Sequence, residues 1–245
     1  MALPQSLGAR VELSELRFFA TAEHDCGYLP GKQARTVAAD PEQVTDMAIY
    51  SRLAEYGFRR SGDHVYVPHC GECQACIPVR VDTARFTPRR IQRRVLKRNS
   101  DLQETWRPAA YDAEHFALYQ RYMQARHADG SMASHTPEDY EEFLLCSWSE
   151  TELLELRDQT ELVAVAVVDV LETGLSSVYT FFAPEASRRS LGVDAVLRTL
   201  ARCRSESRPW LYLGYWIDAC AKMSYKCDYL PQQRYQHGHW VTWNG

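Results

Sequence analysis

The chain has 245 residues, with 45% hydrophobic and 24% charged side chains and a formal net charge of −4. That is the usage of a globular protein with one large or two small domains, not of a disordered chain, and bulk charge does not mark it as a nucleic-acid binder. The longest strongly apolar run, Leu162 to Val168, is too short to cross a bilayer, and Met1 to Gly8 lacks the basic start and apolar stretch of a secretory signal; no membrane partner and a cytoplasmic address are expected.

In chain order, Asp40-Pro41-Glu42-Gln43 carries a helix-opening pattern: Asp40 as cap, proline at the first helical position and Gln43 reaching back. Val44, Met47, Ala48 and Ala54 continue near helical spacing, and Gly57 is the expected stop. His64 to Val67 reads as a short strand entering a cysteine cluster, and Ile77 to Val81 as a strand leaving it. The segment after Pro88 reads as a helix. Asp112 to His127 predicts a second, with Phe116, Tyr119 and Met123 on one face. Thr136-Pro137-Glu138-Asp139 opens a third by the same cap-and-proline logic.

The pattern then changes. Glu152 to Arg157 alternates, Leu162 to Leu171 is valine-rich, Glu172-Thr173-Gly174 is a turn, and Ser177 to Ala183 is another strand. This predicts an antiparallel run, followed by a helix from about Leu191 to Cys203 and a strand from Trp210 to Ile217. That last strand is apolar on both faces and is expected to be central, with Gly214 permitting close backbone approach. The Ser190-Leu-Gly192 turn reads as an ordinary helix start rather than an anion site. Lys222 to Lys226 reads as a surface loop in which Tyr225 or Lys226 is available for proton transfer. The order of elements is that of an α+β or mixed α/β protein.

Charge is unevenly placed. Residues 1–100 hold 15 Lys+Arg and 11 Asp+Glu, a net of +4; residues 101–245 hold 13 and 21, a net of −8. Arg80 to Arg98 contains eight basic residues and one acid, Asp82. Arg89, Arg90, Arg93, Arg94, Lys97 and Arg98 recur at three- and four-residue steps, which on a helix makes one cationic face able to follow phosphates. A solvated helix face is the plainer reading, but such faces usually mix both signs.

Of eight cysteines, Cys70, Cys73 and Cys76 stand at two-residue spacing, as ligands of zinc or an iron–sulfur cluster do. Cys26 is the best fourth ligand by type, with His69 and His24 weaker candidates that favour zinc. Cys146, Cys203, Cys220 and Cys227 are scattered and are expected to be small core residues.

Together these segments resemble the bacterial aminoacyl-tRNA–protein transferases of the N-degron pathway. The resemblance is carried by Cys26-Gly-Tyr-Leu-Pro30, Tyr56-Gly-Phe-Arg59, Tyr66-Val-Pro68, the cysteine triplet with Ile77-Pro-Val-Arg80, and the basic run ending Arg98-Asn-Ser-Asp-Leu102. It continues through Tyr119-x2-Tyr122-x3-Arg126-His127-x2-Gly130-x-Met132, Tyr179-Thr-Phe181, Ser190-Leu-Gly192, Leu213-Gly-Tyr-Trp-Ile217 and Lys222-Met-Ser-Tyr-Lys226. Within the family the chain is similar to the aspartate/glutamate leucyltransferase branch.

The resemblance implies transfer of leucine from Leu-tRNA to the N-terminal amine of proteins beginning with Asp or Glu, marking them for degradation. The closest alternative is arginine as donor; a different class is an RNA-binding module with a structural metal site. It also implies an N-terminal domain over 1–105 holding the cysteine cluster and basic run, and an N-acetyltransferase-like (GNAT-like) domain over 106–245. The Ser190-Leu-Gly192 turn lacks the glycine-rich spacing used for pyrophosphate, so no coenzyme A is expected. Arg80, following the cysteine loop, is the expected reader of the acidic residue, with a phosphate contact as its other use, and Tyr28 is expected beside that reader. Tyr225, Lys226 and His127 are the candidate catalytic residues. Eukaryotic members carry Cys-Gly-Tyr-Cys where this chain has Leu29, so the ligand set is Cys26 plus the triplet, or the triplet alone.

Overall fold

The first part of the computed structural model, whose described residues are 13–126 and 131–245, is built from short strands. They are β1 (Phe18–Ala20), β2 (His24–Asp25), β3 (Gln33–Ala34) and β4 (Thr36–Ala39), then, after helix α1 (Met47–Ala54), β5 (Arg59–Ser61), β6 (His64–Pro68) and β7 (Ile77–Asp82). Helix α2 (Arg90–Arg98), β8 (Gln103–Pro108) and helices α3 (Ala113–Arg126) and α4 (Pro137–Leu144) follow. The remainder runs β9 (Thr151–Asp158), β10 (Glu161–Leu171), β11 (Gly174–Phe182), α5 (Leu191–Ser205), β12 (Trp210–Trp216), the single turn α6 (Ala221–Ser224), β13 (Gln232–Gln236) and β14 (His239–Trp243).

Eight strands form one mixed sheet in the order β14-β13-β7-β12-β11-β10-β9-β8; β1-β4-β6-β5 form a second, and β2 and β3 pair by themselves. The α+β expectation holds, with a large mixed sheet. The segments on either side of residue 105 share that sheet: β7 lies between β12 and β13, and β8 spans residue 105. Leu162 to Asp169 of β10 is buried at every position. The reason is that α3 and α5 pack on β10 and so does α1, so neither face of the strand meets water. Trp210–Trp216 is central, as its sequence requires.

Two local expectations are corrected. The helix expected at Pro41 starts at Met47, because Asp46 supplies the cap, its carboxylate accepting from the Ile49 N–H at 2.9 Å. Asp40 instead closes a turn, accepting from the Glu42 N–H at 3.0 Å and pairing with Arg17 at 2.5 Å. Gly57, at φ +84°, ends the helix as expected. The Lys222–Lys226 segment is not a surface loop. It folds into α6 and a 3-10 turn, Tyr225–Asp228, and Lys226 is only 5% exposed.

One defect in the large sheet positions the site. β11 and β12, parallel neighbours, pair only from Gly174–Ser176 against Trp210–Tyr212. Past that point both strands are bulged against their other neighbours, β11 opposite Val167/Val168 and β12 between Tyr212 and Gly214. Bulges re-aim a strand and end its pairing, and here the two strands part.

Candidate active site

Arg59, the first residue of β5, reaches into the parting between β11 and β12. Its Nη2 donates to the Ser177 carbonyl at 2.5 Å, at the first β11 position beyond the paired segment. Its Nη1 is buried and has no hydrogen-bond partner. On the β12 side stands Gly214, at φ +79°, where a Cβ would lie 2.6 Å from Nη1 and 2.9 Å from Cζ. Only glycine permits both that backbone conformation and that approach.

Four tyrosines lie within reach of the charge of this guanidinium. Burial raises Tyr28 to about 12, and raises Tyr66, Tyr215 and Tyr225; the charge of Arg59 opposes the shift in all four. The Tyr215 hydroxyl lies 3.2 Å from the carbonyls of Gly57 and Tyr66. Lys226 Nζ donates to the Tyr215 carbonyl at 2.6 Å and lies 3.4 Å from Met223 Sδ. Burial first, then the charge of Arg59, lower the Lys226 ammonium to about 7, with Cys220 and Cys76 acting in the opposite sense. Tyr122 of α3 adds to the upward shift of Tyr225 and meets Phe182 edge to face at 5.0 Å, and Arg126 stands over the same ring at 5.5 Å. The site thus combines a cation with an unused donor edge, a lysine able to be neutral near pH 7, and aromatic walls.

Of the residues singled out from sequence, Tyr28, Tyr225 and Lys226 come together here around Arg59. His127 lies outside the described residues. Arg80 lies elsewhere, and its guanidinium is enclosed. It sits 4.0 Å over the Trp210 ring and 4.2 Å from that of Trp240. It donates to Gln233 Oε1 at 2.9 Å and to the Tyr212 hydroxyl at 3.2 Å, with Glu55 at 3.7 Å. Arg234, between Trp216 at 3.8 Å and Trp243 at 4.3 Å, repeats the same cation–π sandwich. Arg59 is visible in sequence only as the end of Tyr56-Gly-Phe-Arg59; nothing there separates it from Arg60.

Cys26, Cys70, Cys73 and Cys76 are all half-buried and free. Burial, then Cys26, Cys70, Cys73 and Cys220 in that order, push the Cys76 thiol up to about 12. The donors are chemically right for a thiophilic ion. In their present placement, among the described residues, no group of three or more His, Cys, Asp or Glu side chains stands close enough to hold a metal ion. Of the four cysteines expected in the core, Cys203 and Cys220 are buried and Cys146 and Cys227 half-buried.

Helix α2 buries Gln92 and Val95 and turns its cations outward. Arg89 pairs with Asp228, Arg93 donates to the Pro88 carbonyl at 2.6 Å, and Arg98 donates to the Arg188 carbonyl. Arg90, Arg94 and Lys97 are exposed and make no ion pair among the described residues. At the Ser190-Leu-Gly192 turn, Ser190 is left-handed at φ 56° and α5 starts directly after it, the ordinary helix start that its sequence suggests.

The description "Arginine-tRNA-protein transferase, N terminus" matches residues 24–94, and "Arginine-tRNA-protein transferase, C terminus" matches residues 114–236. A protein named aspartate/glutamate leucyltransferase from Teredinibacter turnerae is 50% identical over 94% of this chain and 96% of that protein. One of the same name from Hahella chejuensis is 49% identical over 94% and 98%. Among solved structures, L-PGS from Bacillus licheniformis matches at TM-score 0.43 and 14% identity, over 59% of this chain and 48% of that one.

Proposed function

The chain belongs to the arginine-tRNA-protein transferase family and is an aminoacyltransferase, and we propose that it moves leucine from Leu-tRNA to the α-amino group of proteins beginning with Asp or Glu. The observation that carries the reading is the grouping of Arg59, Lys226 and the tyrosines where β11 and β12 part.

The chemistry asks little of the protein. The donor is an activated ester, so no enzyme nucleophile is needed. The acceptor nitrogen, as free amine, attacks the leucyl carbonyl carbon. The C–N bond forms, the ester C–O bond breaks, and the ribose oxygen leaves with a proton. The enzyme must hold the two ends together and take one proton from the nitrogen. Lys226, neutral near pH 7 and fixed on the Tyr215 carbonyl, is the proton acceptor in this reading, with Tyr225 beside it. His127 stays a candidate for the same task. The rings of Tyr122, Phe182 and Tyr225 offer stacking walls for the terminal base of the donor.

The outward cations of α2, Arg90, Arg94 and Lys97 above all, with Arg89, Arg93 and Arg98 beside them, are proposed to follow the tRNA backbone. Arg80 is assigned to holding β7 against β14 through its indole sandwich. Cys26, Cys70, Cys73 and Cys76 remain proposed ligands of zinc or an iron–sulfur cluster with a structural role, which would require the loops carrying them to close. Metal analysis and an absorption spectrum of anaerobically purified protein test that. The location is proposed to be the cytoplasm, where charged tRNA is found, and the labelled protein is proposed to pass to degradation as an N-degron. Among the described residues no helix is long and apolar enough to cross a membrane.

One assay tests the reading. Labelled Leu-tRNA, Arg-tRNA or acetyl-CoA is incubated with the protein and peptides beginning Asp, Glu, Lys or Ala. Label is expected only from Leu-tRNA onto Asp and Glu peptides. Transfer from Arg-tRNA and not from Leu-tRNA would overturn the donor; tRNA binding with no transfer would leave an RNA-binding module.

A further inference from the structure

We infer that Arg59 reads the acidic side chain of the acceptor, its unused Nη1 edge taking the carboxylate in the parting between β11 and β12. The inference rests on the transfer reading above and adds the residue that sets its specificity.

Three arginines stand where the small sheet meets the large one, and their partners differ. Arg60 is bound at Nε and Nη2 by Asp169, with Thr151 and two carbonyls completing its shell. Arg80 has Glu55, Gln233, Tyr212 and two indole faces. Arg59 has one backbone carbonyl, and no carboxylate among the described residues lies within ion-pair distance of it. Buried charges are usually paired and buried N–H groups usually satisfied. Arg59 as a residue is half-buried, but its Nη1 is buried, unsatisfied and without a carboxylate partner among the described residues, which is a donor edge left for an anion that arrives.

The anion's chemistry follows from the surroundings. A guanidinium edge presents parallel N–H donors that match a carboxylate. The tyrosine hydroxyls of this group carry no negative charge to compete for it, and no carboxylate among the described residues pairs with it. Ser177 fixes Nη2, and Gly214, with no side chain, lets Nη1 lie directly against the β12 backbone. Tyr28 and Tyr225, 39% and 42% exposed, are the most solvent-exposed members of the group.

The test compares peptides that differ only in charge, beginning Asp or Asn, against the wild-type chain, Arg59→Gln and Arg59→Lys. Peptide affinity is measured by calorimetry without tRNA, and leucyl transfer separately. Wild type is expected to prefer the Asp peptide by on the order of a hundredfold, Arg59→Gln to lose that preference, and Arg59→Lys to keep the charge but lose roughly tenfold. Circular dichroism and tRNA affinity identify a variant that fails to fold; if Arg59→Gln does so, Arg59→Lys alone decides. An unchanged Asp-to-Asn ratio in a folded variant overturns the inference, whether or not leucine is transferred. Loss of transfer that is equal for both peptides, with the binding ratio intact, also overturns it. An Arg59-dependent preference without any transfer from Leu-tRNA upholds the inference and overturns the donor reading instead.

Discussion

Arg60 and Asp169 are joined by two hydrogen bonds, Nε to Oδ2 at 2.7 Å and Nη2 to Oδ1 at 2.6 Å, with both side chains fully shielded from solvent. The pair ties β5 of the small sheet to β10 of the large one. Successive strand residues point to opposite faces, so anchoring Arg60 on β10 aims Arg59 the other way, at Ser177 and Gly214. The structural pair thus positions the site arginine.

Removing one member of a buried pair leaves an uncompensated charge. Asp169→Ala is expected to cost about 3–5 kcal/mol in urea unfolding. The double change Arg60→Met with Asp169→Leu should cost clearly less than the sum of the two single changes, since it buries no orphan. Additive costs would show that the two residues are not coupled.

Gly214→Ala forces a side chain into a positive-φ position and against Arg59. A loss of roughly 1–3 kcal/mol is expected from the backbone alone. If Arg59 moves in response, KM for Asp-initial peptides rises while tRNA affinity holds. A destabilised enzyme with unchanged KM would separate Gly214 from the site.

The pH dependence follows from Lys226. Its ordinary value is lowered to about 7 by burial and by Arg59, and the neutral form is the one that accepts a proton. Transfer should therefore rise with pH through about 7. The acceptor amine, with an ordinary value of about 8, adds a second rise. Lys226→Arg, which stays charged, is expected to lower kcat by about 10²–10⁴ and to abolish the lower inflection while keeping the upper one. A profile with both inflections unchanged would remove Lys226 from proton transfer.

For the basic helix, the readout is salt. Arg90→Ala, Arg94→Ala and Lys97→Ala should each weaken tRNA binding and flatten the plot of log affinity against log salt, by about 0.7–0.9 for each phosphate no longer neutralised. Arg80→Lys, away from that face, should leave the slope unchanged. A helix whose triple change leaves the slope intact does not bind phosphate.

Much of the fold is legible in the sequence because strong local signals meet no competitor. The Thr136 capping box forms as expected, with Asp139 and Thr136 exchanging hydrogen bonds, and the valine-rich run is a strand buried at every position from Leu162 to Asp169. The first helix starts later than its pattern suggests because Asp40 and Asp46 both make good caps, and the Arg17 pair that holds Asp40 in a turn is distant in sequence. Lys226 reads as a surface residue because lysine usually is; its burial depends on the Tyr215 carbonyl eleven positions earlier.

The periodicities, the outward basic helix and the order of motifs that the family comparisons bear out are legible along the chain, since each is a property of neighbouring residues. Which arginine keeps an open donor edge is set by long-range packing. Arg59, Arg60 and Arg80 are alike as residues, and the difference lies in partners 118, 109 and 132 positions away along the chain. A charge is neutralised, sandwiched or left open by what the fold brings to it, and no local pattern records that.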